Sequence, residues 1–346
     1  MRRLIRILLP FALAILATGT LAAPESVDDG PLMPAAITAA SQRLYTLAAN
    51  TLVPVRTTGA DRIAVLYPDL DEPYRSVFRQ ILAGIERSAP ARVVGIRLND
   101  AKTPDQLTAE LREQRVGVVI ALGRHGLQAA STLPRDIPVV GGAVLASPAD
   151  GTGTGALVSL TPDPRLLLQH LKRLAPSVRR VFTVYSARQN DWLMTLARHA
   201  AKAQGVELVE IETDDLRVAL KRFHEITATA EPGRDAIWLP QDSAVLDDQV
   251  VLPFVLQQAW DRSIIVFSST LAHVRRGALF ALYPDNEDMG RQLTASALDL
   301  LEHPTGPHAV QPLREVRLAL NTRTARHLGV NLETVEKDVV LLFPVR

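Results

Sequence analysis

The feature that most constrains the fold of this 346-residue chain is a strand–helix order that occurs twice. Residues 61–69 and residues 178–186 are short apolar runs that end in turn residues, a pattern typical of buried strands. Asp61 and Arg179 lie 118 residues apart, and the third strands of the two sets are separated by the same distance. Because strands alternate with helices in both sets, we predict two similar α/β lobes, each a doubly wound parallel sheet.

The last third of the chain carries more strands and helices than two equal copies need. These extra elements predict a hinge in which the chain crosses between the lobes several times. We predict one lobe from residues 59–157 plus 285–312 and the other from residues 158–284 plus 313–346. Residues 24–58 are an N-terminal extension to which the sequence assigns no role.

Residues 1–23 have the layout of a secretory signal peptide. A basic start is followed by the apolar residues 7–17 and then by small residues, with cleavage expected near Ala22 or Ala23. The apolar stretch is shorter than the roughly 20 residues that a membrane-spanning helix needs. We therefore expect a periplasmic protein from which this segment is removed.

The composition narrows the functional classes. Hydrophobic residues make up 47% of the chain, enough for a full core, and the absence of cysteine excludes disulfides and a lipoprotein anchor. Lys and Arg number 38 against 37 Asp and Glu, and only 5% of residues are aromatic. A balanced charge with few aromatics argues against a nucleic-acid partner.

The predicted topology also locates a candidate ligand site. Ligands of open parallel sheets bind at the carboxyl ends of the strands, near helix N-termini. With two such lobes, we expect the strand ends to meet across one cleft. The candidate ligand-binding residues at these ends are Tyr67, Asp69, Tyr74, Gly123, Arg124, Tyr185, Gln241, Asp242, Ser268, Ser269, Tyr283 and Asp285.

These side chains favour recognition of a small polar solute. Arg124 suits a carboxylate, Asp242 or Asp69 an ammonium group, and the tyrosines an apolar or aromatic portion. Each position also has a structural interpretation. Asp242 is equally compatible with capping the next helix, Arg124 with a solvated surface charge, and the tyrosines with core or rim packing.

The sequence favours no enzymatic chemistry. The glycine-rich residues 151–155 lack the lysine of a P-loop, the histidines lack zinc-type spacing, and no G-x-S-x-G motif occurs. The carboxylate pairs Asp69/Asp71 and Asp247/Asp248 are close neighbours of the kind found in solvated loops. We expect neither a catalytic activity nor a cofactor or metal.

Several segments resemble one protein family in their order along the chain. They include Pro240-Gln241-Asp242-Ser243, the run Ile264 to Ser269, and the run Asn321 to Gly329. Residues 61–335 are similar to ABC-transporter substrate-binding proteins of the tryptophan/tyrosine type. This resemblance implies a type I periplasmic binding protein fold. Relatives often have Gly-Thr or Gly-Ser where this chain has Gly123-Arg124.

These observations lead to one functional hypothesis and two alternatives. We expect a monomeric solute-binding protein that closes two lobes around an amino acid or another small polar solute. The resemblance implies delivery to the membrane subunits of an ABC importer. One alternative is an envelope ligand sensor or protein-interaction module on the same scaffold, without transport. The other is an exported enzyme.

Overall fold

The described part of the chain is an α/β protein built on two sheets. The structure, a computed structural model, describes residues 61–69, 71–72, 74–98, 102–147, 155–303, 310–332 and 339–344. The predicted signal peptide (1–23) and the extension (24–58) lie outside the described residues. Of the helices that are described, none is long and apolar enough to cross a membrane.

Almost all neighbouring strands in the two sheets run parallel. The first sheet has the order β11-β5-β4-β3-β1-β2, and the second has the order β13-β12-β10-β9-β8-β6-β7, with β12 antiparallel to β10. The order β2-β1-β3-β4 in the first sheet therefore recurs as β7-β6-β8-β9 in the second. The strands are β1 (Arg62–Pro68), β2 (Val93–Leu98), β3 (Val116–Leu122), β4 (Val139–Val144), β5 (Gly155–Pro162), β6 (Arg180–Tyr185), β7 (Glu207–Glu212), β8 (Asp235–Leu239), β9 (Ile265–Ser268), β10 (Phe280–Pro284), β11 (Val310–Leu313), β12 (Val316–Asn321) and β13 (Val339–Phe343).

The helices connect the strands and begin at recognisable capping residues. Thr103 and Gln106 form a reciprocal capping box at the start of the second helix. Asp163 caps the fourth helix, and Pro164 follows it at the first helical position. The helices are α1 (Tyr74–Ser88), α2 (Pro104–Glu113), α3 (Gly123–Ala130), α4 (Pro164–Leu174), α5 (Ala187–Ala203), α6 (Leu216–Thr229), α7 (Val251–Asp261), α8 (Leu271–Arg276), α9 (Asn286–Glu302) and α10 (Thr322–His327).

Both faces of each sheet are covered, as a doubly wound sheet requires. Along β1, Ile63 and Val65 join a core with α1 and α9, whereas Ala64 and Leu66 join a core with α2 on the opposite face. The second sheet packs against α4 and α5 on one face and against α6 and α7 on the other. The predicted fold class, two α/β lobes built on parallel sheets, is confirmed.

Helices α1 and α9 of the first lobe approach each other unusually closely because of two glycines. A Cβ atom on Gly84 would lie 2.0 Å from the carbonyl oxygen of Glu287, and one on Gly290 would lie 2.2 Å from that of Ile81. Glycine is therefore required at both positions for the backbones to come this close.

Over its described residues the chain passes between the two sheets three times, and these crossings are hydrogen-bonded to one another. They lie at Asp163, at Asp285 and between β11 and β12. The N–H of Asp163 donates to the carbonyl of Leu313 (2.9 Å), and the N–H of Asp285 donates to that of Glu315 (3.0 Å). The crossings therefore form one three-stranded junction, as the sequence predicted for the hinge. The residue boundaries proposed for the lobes stay a prediction.

Candidate functional site

The three crossings bring the carboxyl edges of both sheets to the junction. The first crossing leaves the end of β5, the second leaves the end of β10, and the third leaves the end of β11. Because β12 is antiparallel to β10, its first residue, Val316, lies beside Pro284 at the carboxyl end of β10. The strand ends on which the candidate site was predicted therefore border the junction from both lobes.

Asp242, in the second lobe, is a buried connector between strand ends. It is 3% exposed and follows β8. Its Oδ2 accepts hydrogen bonds from the N–H of Ser186 (2.6 Å) and from Nδ2 of Asn190 (2.9 Å), and its Oδ1 accepts one from the N–H of Ala244 (3.0 Å). The carboxylate thus fixes the loop after β8 to the start of α5, as a charged acceptor at a helix N-terminus does.

Ser268, at the carboxyl end of β9, belongs to a second buried polar group. Its Oγ lies 2.7 Å from Nδ1 of His273, and it accepts a hydrogen bond from the N–H of Thr270 (3.0 Å). Nε2 of His273 faces Oδ1 of Asp248 at 3.5 Å. Burial lowers the pKa of His273, and the nearby Asp248 carboxylate offsets only part of that effect. The ring is therefore neutral near pH 7.

Two further candidates of the second lobe are also buried. Ser269, 6% exposed, accepts a hydrogen bond from the indole Nε1 of Trp238 at 3.1 Å. Tyr185, 4% exposed, packs within the core formed with α4 and α5, and burial raises the pKa of its hydroxyl. Gln241, by contrast, is exposed beside Asp242.

The first lobe presents exposed side chains around a glycine turn. Gly123 begins α3 with φ +72°, and a Cβ there would lie 3.3 Å from the ring of Phe78. Arg124 follows it and is exposed, and among the described residues no carboxylate pairs with it. Tyr74, at the start of α1, is 65% exposed. An arginine and an aromatic ring are therefore available to solvent at this edge.

Tyr67 and Asp69 lie at the end of β1 and are oriented by β2. The Tyr67 ring is half-buried and passes 3.4 Å from the position that a Cβ on Gly95 would take. Oδ2 of Asp69 lies 3.8 Å from Nη1 of Arg97, and both side chains are largely exposed. The carboxylate is thus only loosely held.

Tyr283 and Asp285 lie in the junction itself. Tyr283 is half-buried, and burial raises the pKa of its hydroxyl. Asp285 caps α9 and accepts a hydrogen bond from Nε of Arg317 at 2.6 Å. Burial raises the pKa of Asp285, but the Arg317 guanidinium and the backbone N–H groups of α9 lower it by more, so the net pKa lies below the ordinary value. Asp285 therefore stabilises the second crossing as an anion.

Comparison with known proteins agrees with this geometry. The family model described as ABC transporter substrate binding protein matches residues 98–339, more than half of the chain. The chain belongs to this family of substrate-binding proteins. A tyrosine-binding protein of Clostridioides difficile (strain R20291) is 24% identical over 259 residues, which are 69% of this chain and 72% of that protein.

Solved structures show the same fold. The ligand-free, open structure of a substrate-binding protein with adhesive properties from Clostridium difficile matches 83% of this chain and 100% of that chain. The two share 15% identity and superpose with a TM-score of 0.58. The type I periplasmic binding fold expected from the sequence is thus shown for this family member.

The structure also identifies polar residues of the site that sequence reasoning did not select. Asn190 binds Asp242, and His273 binds Ser268. Asn190 and His273 both lie within helices and are buried there. Each is a polar residue at a helix position that the apolar periodicity assigns to the buried face, and this signal could have identified them from the sequence.

The group Ser268–His273–Asp248 has the residue types of a hydrolytic triad but not its accessibility. Ser268 is 0% exposed, and Oγ also lies 3.1 Å from the carbonyl oxygen of Leu239. A nucleophile must reach a reacting atom about 3 Å away, which this hydroxyl cannot do. Its contacts hold the loop between β9 and α8. The arrangement at the two edges is therefore suited to recognition.

Proposed function

We propose that this family member is an exported, monomeric binding protein that closes its lobes around an amino acid or another small polar solute. It then delivers the solute to the membrane subunits of an ABC importer without altering it. The observation that carries the proposal is the three-stranded junction, which brings the polar carboxyl edges of both sheets together. Membership in the family supports the transport role, and the signal-peptide pattern of residues 1–23 supports a periplasmic location.

The two edges have complementary parts in this proposal. Arg124 of the first lobe binds the carboxylate of the solute, and Tyr74 stacks on its apolar portion. Gln241 of the second lobe supplies amide donors and an acceptor, while Asp242 holds its loop in place. A solute that contacts both lobes stabilises the closed state because its affinity for that state is higher.

The name of the tyrosine-binding relative supports an amino acid as the solute. Arg124 favours a solute with a carboxylate, because a guanidinium forms two parallel hydrogen bonds with that group. Sugars and nucleosides offer no such anion, so they are expected to bind more weakly.

A ligand screen tests the proposal. The protein is recovered from the periplasmic fraction of a producing bacterium and melted with amino acids, nucleosides, sugars and organic acids. A solute at about one hundred times its dissociation constant stabilises the folded state by about 2.7 kcal/mol. We expect a shift with one or more amino acids, and mass spectrometry should recover the solute unchanged. Conversion of the solute would contradict the binding role.

Variants then test the site, and uptake tests the transport. Arg124→Ala should weaken solute binding about tenfold, the effect of losing about 1.4 kcal/mol. Arg135→Ala is the matched control, because Arg135 is exposed in the loop before β4, at the opposite edge of the same sheet. Equal solute affinities of the two variants would show that Arg124 does not contact the solute. Unchanged uptake of the solute by a strain that lacks this protein would favour the sensor or interaction alternative.

A further inference from the structure

A groove of about 650 Å³ lies on the second lobe at the opposite edge from the candidate ligand site. It is bordered by the end of α7, the end of α8 and the start of α10. The N–H of Asn321, just before α10, donates to the carbonyl of Leu279, just before β10. The groove is therefore at the amino ends of β9 and β10. We call it the arginine groove, lined by Pro253, Leu256, Trp260, Arg275, Arg276 and Arg323.

Two of the three arginines of this groove lie against aromatic rings. The guanidinium carbon of Arg323 lies 5.2 Å from the ring centroid of Trp260, and that of Arg275 lies 5.3 Å from the ring centroid of Phe343. The Trp260 ring is itself stacked on His327, with centroids 3.9 Å apart and planes 8° apart. Cation–π contact restricts both guanidinium groups while leaving their N–H donors free to bind.

Arg275 and Arg323 are exposed cations without a carboxylate partner among the described residues. Arg276 is only loosely paired, 3.8 Å from Asp248, and Asp261 accepts a hydrogen bond from Nε2 of Gln257. The groove thus carries three arginines against one acidic residue in its lining. Its potential favours an anionic group.

Helix α7 adds apolar side chains to the groove. Pro253, Leu256 and Trp260 line it beside the polar residues Gln257 and Asp261 of the same helix. Pockets for small molecules enclose most of their ligand, whereas this groove is partly open to solvent. A partly open groove that combines arginines with apolar side chains matches a peptide segment that carries carboxylates and an apolar side chain.

We propose that the arginine groove is a docking site for an acidic peptide segment of a partner protein. Carboxylates of the segment bind Arg275 and Arg323, and an apolar side chain packs against Trp260. Because the groove and the solute site are at opposite edges of the second sheet, the partner can bind without covering the solute. This surface is additional to the proposed solute site and does not depend on it.

A peptide-binding experiment tests this proposal with the full chain. The probe is a fluorescein-labelled ten-residue peptide of glutamates with one central phenylalanine, and its anisotropy is measured against protein concentration. The same peptide with lysines in place of the glutamates is the control for charge. We expect saturable binding of the acidic peptide alone, which weakens as salt is raised.

Variants assign the binding to the groove. Arg323→Gln and Arg275→Gln should each weaken binding of the acidic peptide about tenfold. This is the effect of losing one charge-assisted contact of about 1.4 kcal/mol. Arg217→Gln is the matched control, because Arg217 is an exposed arginine of α6 outside the groove. Thermal melting checks that every variant is folded. An equal loss in the Arg217 variant would overturn the proposal.

Three other results would also overturn it: no saturable binding, competition by inorganic phosphate as strong as by unlabelled peptide, or Arg323-dependent binding to anionic phospholipid vesicles without peptide binding. Solute affinity of the groove variants is measured in parallel and should be unchanged. A failure of solute binding in the wild type would count against the proposed function alone.

Discussion

The two lobes build their ligand-facing edges in different ways. In the second lobe, Asp242, Ser268 and His273 are nearly fully buried; Asp242 accepts a hydrogen bond from the N–H of Ser186, and Ser268 contacts His273. In the first lobe, Gly123 makes the turn, and Arg124 and Tyr74 extend into solvent. The edge of the second lobe is thus a rigid, prearranged surface, whereas the edge of the first lobe offers side chains that can adapt to a ligand.

This difference separates residues that shape the site from those that can contact a solute. Substitution of a buried residue at the edge of the second lobe should act mainly on stability, because buried polar groups would lose their partners. Substitution of an exposed side chain in the first edge should act mainly on affinity. Four measurements test this contrast.

The largest effect is expected for Asp242→Ala. The substitution leaves the N–H groups of Ser186 and Ala244 and the amide of Asn190 without their acceptor. We expect the free energy of unfolding in urea to fall by about 3 kcal/mol. Asp69→Ala is the control from the first edge, with an expected change within about 0.5 kcal/mol because its ion pair is exposed. Similar losses in the free energy of unfolding for the two variants would show that the two edges do not differ in this way.

The next largest effect is expected where α1 packs against α9 in the first lobe. Gly290→Ala places a methyl group against the backbone of α1, so α1 and α9 must separate. We expect a loss of about 2 kcal/mol in the free energy of unfolding. Gly95→Ala, in β2, meets only an ordinary contact with Tyr67 and serves as the control. A neutral Gly290→Ala variant would show that the two helices can shift at little cost.

A smaller effect is expected at the turn before Arg124. Gly123→Ala forces alanine into φ +72°, which costs about 1 kcal/mol, and adds the close contact with Phe78. Gly205→Ala carries a similar strain at φ +61° with nothing within 4 Å of the new Cβ. The difference between the two melting temperatures therefore measures the Phe78 contact. If Gly205→Ala were the more destabilised, this contact would be unimportant.

The smallest effect is a pH dependence from His273. Its pKa in the folded state is lowered by burial, so the unfolded chain binds a proton first as the pH falls below the ordinary value of about 6.5. Stability is full above that value and declines as the pH falls toward the folded pKa, by at most about 0.8 kcal/mol at pH 6. Unfolding of His273→Asn between pH 7.5 and 6 should show a weaker decline than the wild type.

The control for this measurement is His199→Asn, because His199 is exposed on α5. It should retain the decline seen in the wild type. A decline that is the same in all three proteins would exclude His273 as its source.

The architecture was predictable because its signals are local. Buried parallel strands are short apolar runs, and the helices between them bury one face, so a single pass along the chain reveals the alternation and its duplication. The same reasoning applies to α6, where Asp215 caps a helix that buries Ala219, Phe223 and Ile226 at helical spacing. The strand ends that carry the candidate site follow from this topology alone.

The role of each polar residue at these strand ends depends on the tertiary structure. Asp242 meets Ser186 and Asn190 across more than 50 residues of chain, and no local pattern encodes such a pairing. Tyr185 is a core residue because α4 and α5 cover the end of β6, and Arg323 borders a groove because α10 begins beside α7 and α8. Periodicity determines which face of an element is apolar, but burial and hydrogen bonding depend on the neighbours that the fold supplies.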